Sequence, residues 1–221
     1  MKLRLDLKVN RKRQRYTNSR ESVTYMFESR NPSAIRSQRE ITEALLSLMK
    51  KFPYDEISVK QILLESGVAK KTFYRNFESK DDVLISKIRA ELREYFSIVD
   101  GGDADVLTTI FAFAKKNKDL LLILDRNDML HAVLKCMNEN IRSHKQGQVS
   151  ETNPFVQLFD GLDSEYLIAL NIGAVWNVIS FWVHGGMRES PEYVRDTIYQ
   201  YLTRLDPSVC YNPSICKNDR H

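Results

Sequence analysis

The chain has 221 residues, 43% hydrophobic and 28% charged, the composition of a globular protein long enough for one small domain and one larger one. Its cysteines, Cys136, Cys210 and Cys216, are odd in number and lack paired metal-ligand spacing, which argues against a disulfide framework or a zinc site and for reduced thiols in a cytoplasm. No run approaches the ~18 apolar residues of a membrane span, and the net charge of +4 is unevenly spread: residues 1–33 carry nine Lys/Arg against three Asp/Glu, leaving the other 188 residues at −2.

Residues 1–32 are polar and basic with no sustained helical period, and MKLRLDLKVNRKRQRY lacks the apolar stretch of a secretory signal, so this segment is expected to be a disordered extension. The first strong helix is predicted from Ser33 to Lys51, where Ile41, Leu45, Leu48, Met49 and Phe52 fall on one face and Pro53-Tyr54 stop the run. Ile57, Ser58, Gln61 and Ile62 then supply a capping box and a hydrophobic staple, so a second helix begins at Ser58. Gly67 ends it, because a residue without a Cβ can take the left-handed conformation of a helix terminus, and Val68 drops an apolar anchor into the corner. From Ala69 to Phe77 a third helix places Phe73 and Phe77 one turn apart toward a core. Lys71, Tyr74 and Arg75 lie in a neighbouring sector, with Lys70 and Thr72 flanking them. Ser79 reads as the N-cap of a fourth helix with Asp81 and Asp82 in its first turn and Lys80 at its start. Two short helices, a tight turn and a cationic, aromatic second member are the pattern of a helix-turn-helix DNA reader. The fourth helix continues through Val83, Leu84, Ile88, Leu92, Tyr95 and Phe96 to about residue 100 as a connector.

Over Ile35 to Leu84 the chain resembles the TetR/AcrR family of bacterial regulators, whose signature runs Gly-Val-Ser-x-x-Thr-(aliphatic or Phe)-Tyr-x-x-Phe-x-x-Lys. Here it stands as Gly67, Val68, Ala69, Lys70, Lys71, Thr72, Phe73, Tyr74, Arg75, Asn76, Phe77, Glu78, Ser79, Lys80. Ala69 departs from the usual Ser or Thr, a lost N-cap worth about 1 kcal/mol. The resemblance implies an all-α fold, a three-helix DNA-binding domain at 33–80 and a helical effector and dimerisation domain at 81–205, with 206–221 a tail. It implies that Ser58, Tyr74 and Lys80 contact backbone phosphate, and that Lys60, Lys70, Lys71, Thr72 and Arg75 reach base edges or nearby phosphates. Residues 1–32 then have three readings: a basic arm on DNA, an inert extension, or a translated stretch upstream of a start such as Met26.

Beyond Gly101-Gly102, helical patterns are predicted at 104–116, 118–125, 128–144, 154–160, 164–184 and 191–205. Ser190-Pro191-Glu192 places an N-cap, an N1 proline and an acidic residue in order. The helix from Ser164 to His184 is apolar nearly all round. With the one from Pro191 to Leu205 it suits an intermolecular four-helix bundle, in keeping with the family's dimer interface, through Gly173, Trp176, Trp182, Val194, Ile198 and Tyr201. The resemblance also implies an effector cavity among the aromatic and methionine side chains of 104–160, with the effector itself unspecified. His131, His144, His184 and His221 lie apart, and no nucleophile elbow or phosphate-cradling Gly loop is present, so neither catalysis, metal nor cofactor is expected. The expectation is a cytoplasmic, homodimeric repressor on a palindromic double-stranded DNA operator, released by an unknown small molecule. The rival is a coregulator whose second domain receives a protein partner.

Overall fold

The computed structural model describes residues 31–99, 105–143 and 164–205, and the chain is all-α: among the described residues there are nine α-helices, one short 3-10 turn and no strand. Helix α1, Pro32–Met49, begins one residue earlier than its periodicity suggests, because Asn31 Oδ1 accepts the Ser33 N–H at 3.0 Å and Pro32 sits at the first helical position. It also ends early. The N–H groups of Lys51 and Phe52 both turn back to Leu48 O at 2.9 Å, which leaves Phe52 past the helix end and exposed rather than on the apolar face.

The 3-10 turn Tyr54–Glu56 leads to α2, Val59–Ser66, where Ser58 and Gln61 form the reciprocal capping box and Ile57 and Ile62 are both buried. Gly67 closes α2 with φ +68° and donates its N–H to Leu63 O at 3.0 Å. Helix α3, Lys70–Asn76, starts without a side-chain cap at Ala69, and the N–H groups of Thr72 and Phe73 bond to Ala69 O instead. Helix α4, Lys80–Val99, is capped by Ser79, whose Oγ accepts the Asp82 N–H at 3.1 Å. Ile41, Leu45, Ile62, Phe73, Phe77 and Leu84 are essentially sealed from solvent where α1 packs against α2, α3 and α4.

Helices α5 (Val106–Lys116), α6 (Lys118–Arg126), α7 (Leu130–Ser143), α8 (Ser164–His184) and α9 (Pro191–Leu205) follow. The segment predicted helical at 154–160 lies outside the described residues, as do 1–30 and 206–221. Helix α4 packs on α5 and α7, α8 on α6 and α7, and α9 on α5. Asp105 joins the last pair: its Oδ1 accepts both the Leu107 N–H that it caps (3.1 Å) and the Tyr199 hydroxyl (2.5 Å). Between α4, α5, α6 and α7 lies an apolar void of about 10 Å3, lined by Ile88, Leu92, Phe113, Leu121 and Val133 among others. That is room for about one water. No described helix is long and apolar enough to cross a membrane.

One side chain ties the end of α6 to the end of α1. Asn127 Nδ2 donates to Ile123 O at 2.8 Å and to Met49 O at 3.1 Å, so a single amide caps two helices 78 residues apart in sequence. Asn127→Ala should therefore destabilise the protein by about 1–3 kcal/mol, the range for leaving such carbonyls unmet, and lower the urea midpoint. An unchanged midpoint would mean that water replaces the amide without loss.

Candidate nucleic-acid interface

The sequence-predicted DNA-contacting residues fall on the N-terminus of α2, on α3 and at the start of α4. Phe73 and Phe77 are fully buried, and their placement turns the intervening sector of α3 outward: Lys70, Lys71, Tyr74 and Arg75 are exposed, while Thr72 is half-buried. Tyr74 keeps 52% of its surface and is braced by the Phe73 ring edge-on at 5.2 Å. Asn76 is buried and donates to Thr72 O at 2.7 Å, which fastens the last turn of this short helix.

Several cations elsewhere on the same three-helix unit are paired with carboxylates. Arg36 pairs with Glu40 at 2.7 Å, Arg39 with Glu43 at 3.8 Å and Lys51 with Glu65 at 3.7 Å. Among the described residues, Lys60, Lys70, Lys71 and Arg75 have no carboxylate partner. An anion approaching α3 meets Lys70, Lys71 and Arg75, all exposed and outside any ion pair among the described residues. Ser58 is also exposed, but its hydroxyl already serves the cap, accepting the Gln61 N–H at 3.3 Å and donating to Gln61 Oε1 at 2.7 Å.

Lys80 is held differently. Its ammonium donates to Tyr54 O at 2.7 Å and Asp55 O at 3.3 Å and lies 4.5 Å from the centre of the Tyr54 ring, while the Tyr54 hydroxyl donates to Asp81 at 2.5 Å. Burial, and then the bond to Asp81, hold the Tyr54 phenol well above its ordinary pKa, so it stays a protonated donor. Sequence reading used Tyr54 only as the end of a helix. Its one local signal is an aromatic residue within a turn just ahead of a capping box, and the partner lies 26 residues away.

Of the residues expected at a dimer face, Gly173 and Tyr201 are exposed and Val194 and Ile198 are half-buried. Trp176 and Trp182 correct the expectation. They retain only 7% and 3% of their surface inside the subunit, with Trp182 edge-on to Phe111 at 6.0 Å and donating its indole N–H to Glu189 O at 3.2 Å. A helix apolar all round does not declare which face turns inward, and here the tryptophans took it. The outward stripe of α8 instead runs through Tyr166, Leu170, Gly173, Asn177 and Phe181 at spacings of four, three, four and four, and α9 turns Tyr193, Tyr201 and Leu205 outward. Leu170 and Phe181 remain 56% and 82% exposed.

Residues 41–86 match bacterial regulatory proteins of the tetR family, and residues 104–204 match a transcriptional regulator C-terminal region. No curated protein sequence matches the chain. Solved structures of similar fold include two regulators. The TetR transcriptional regulator from Streptococcus agalactiae 2603V superposes with a TM-score of 0.53 at 19% identity, covering 78% of this chain and 94% of that one. The fatty acid degradation regulator FadR from Bacillus halodurans gives 0.54 at 18% identity, covering 79% and 96%. At these identities the likeness is one of fold.

The buried phenols set an alkaline limit on stability. Tyr54 and Tyr199 are both raised, by burial and then by their carboxylate hydrogen bonds, and burial pushes Tyr95 up to about 12. In the unfolded chain all three ionise near pH 10, so their contribution is complete below about pH 10 and declines above it. Urea midpoints measured between pH 9 and 11 should fall as pH rises, and Tyr54→Phe should flatten that fall. An equally steep fall in the variant would remove Tyr54 as a cause.

Proposed function

Because the chain belongs to the tetR family of bacterial transcriptional regulators, we propose that it binds a palindromic operator in double-stranded DNA as a homodimer in the cytoplasm and represses transcription until an effector releases it. The observation that carries the DNA reading is the sector of α3 in which Lys70, Lys71 and Arg75, in no ion pair among the described residues, flank an exposed tyrosine. In this reading Tyr74 and Lys80 touch backbone phosphates and set the register. Arg75, Lys70, Lys71 and Thr72 read bases or neighbouring phosphates in the major groove, and Ser58 and Lys60 approach the backbone from the start of α2. Residues 33–80 form the DNA-binding domain and 81–205 the effector and dimerisation domain.

Dimerisation is supported by the outward apolar stripes of α8 and α9, which a second copy would cover as a four-helix bundle. Gly173, Tyr201, Val194 and Ile198 remain in that interface, Leu170 and Phe181 join it, and Trp176 and Trp182 support it from behind. Two readers then engage two half-sites on successive turns of the duplex. Repression follows when a dimer so placed excludes polymerase.

A small effector seated between α4, α5, α6 and α7 would have to enlarge the void of about 10 Å3 there, parting α4 from its neighbours. The narrowness of that gap among the described helices supports a second reading, in which a protein partner rather than a small molecule acts on the helical domain. Calorimetry against a small-molecule panel, set beside partner capture on immobilised protein, separates the two.

Tyr74→Phe should weaken binding to all duplexes by a similar factor, about 1.5–3 kcal/mol if its hydroxyl donates to a phosphate, whereas Arg75→Ala should change the ranking among sequences. Equal losses across sequences for both would place Arg75 on phosphate. Phe181→Glu should convert a dimer into monomers in sedimentation velocity. A wild-type protein that sediments as a monomer at micromolar concentration would sink the dimer.

A further inference from the structure

We propose that Tyr54 is a positioning residue for DNA binding: the turn it occupies holds the Lys80 ammonium at a fixed point four residues past the end of α3, with one N–H left for a phosphate oxygen. The proposal rests on the reading that Lys80 touches the DNA backbone.

An ammonium has three N–H donors and no acceptor. Two are directed by Tyr54 O at 2.7 Å and Asp55 O at 3.3 Å, and the Tyr54 ring lies under the charge at 4.5 Å. Tyr54 also grips the next residue, since its hydroxyl donates to Asp81 Oδ1 at 2.5 Å. One side chain therefore bears on two consecutive residues of the first turn of α4. The platform is itself anchored, because Tyr54 is 5% exposed and Ile57, at the other end of the turn, is buried. A lysine on an open surface loses rotamer entropy when it meets a phosphate. Lys80 loses it on folding, and because Lys80 is only half-buried and two carbonyls account for two of its three donors, an anion can reach the ammonium. By contrast Lys70 and Lys71 are exposed on α3 with no such brace.

The test is a double-mutant cycle on binding to a mixed-sequence duplex of about three helical turns, whose affinity at low salt comes mainly from phosphate contacts. Lys80→Ala should lower affinity and make the slope of log K against log salt shallower by about 0.9, the value for one lost phosphate contact. Tyr54→Leu should lower affinity about three- to tenfold in the wild-type background but less than about twofold beside Lys80→Ala, because a positioning residue has nothing left to position. Tyr54→Phe, which keeps the ring and removes only the bond that fixes it to Asp81, should show coupling of the same sign and smaller size, and it decides the matter if thermal unfolding shows that the leucine variant does not fold. Full additivity of the tyrosine variants with Lys80→Ala overturns the proposal while the phosphate contact stands, as does a gain in affinity in Tyr54→Leu, which would mean that the turn withholds Lys80 from DNA. No effect of Lys80→Ala on affinity or slope removes the phosphate contact itself, and the positioning role with it.

Discussion

Phe73 within the seven-residue helix α3 and Phe77 just past its end are both sealed from solvent, and that anchoring decides where the other side chains of α3 can point. Helix α3 is too short to hold itself in water and lacks an N-terminal cap at Ala69, so its conformation comes from what it packs against. Truncating either ring would cost about 3–5 kcal/mol, more than all the exposed contacts of the helix together. With the rings fixed in the core built on α1, Lys70, Lys71, Tyr74 and Arg75 face solvent. Gly67 supplies the corner: its φ of +68° brings the chain from α2 into α3 within three residues, and any residue with a Cβ would be strained there even though the space beside it is open.

The three-helix unit is mechanically continuous with the rest of the chain. Helix α4 contributes Val83, Leu84 and Ile88 near its start and Leu92, Tyr95 and Phe96 further on, so one rod runs along a hydrophobic core that is continuous between the two parts. Asn127 adds a second junction by capping α1 from the end of α6, and Arg89 joins α4 to α7 through Glu139 at 2.9 Å. A displacement of α6 would be felt at the end of α1, and one of α7 midway along α4. Any effector, small or macromolecular, works through these contacts only to the extent that it prefers one arrangement of them over another.

Much of this was legible in the sequence, and the reason is locality. The capping box at Ser58, the left-handed Gly67, the paired phenylalanines and the Ser190-Pro191 start of α9 are decided by residues within four or five positions of one another, and each stands as expected. The departures come from distance or from symmetry. Lys80 looks like a free cation in the sequence because the carbonyls that hold it lie 25 and 26 residues away, and Asn127 looks like a simple helix break because Met49 is 78 residues upstream. On α8 the hydrophobic pattern has no preferred side, so nothing local distinguishes Trp176 and Trp182, which serve the subunit's own core, from Leu170 and Phe181, which do not.

The central claim is that a cationic helix anchored by two phenylalanines is presented twice, by subunits joined through α8 and α9. Selection of bound duplexes from a random library, followed by sequencing, addresses both halves of that statement at once. The account predicts an enriched inverted repeat with half-site centres about 10 base pairs, or a multiple of that, apart. Enrichment of a single unrepeated element, or no enrichment at any salt concentration, would contradict it.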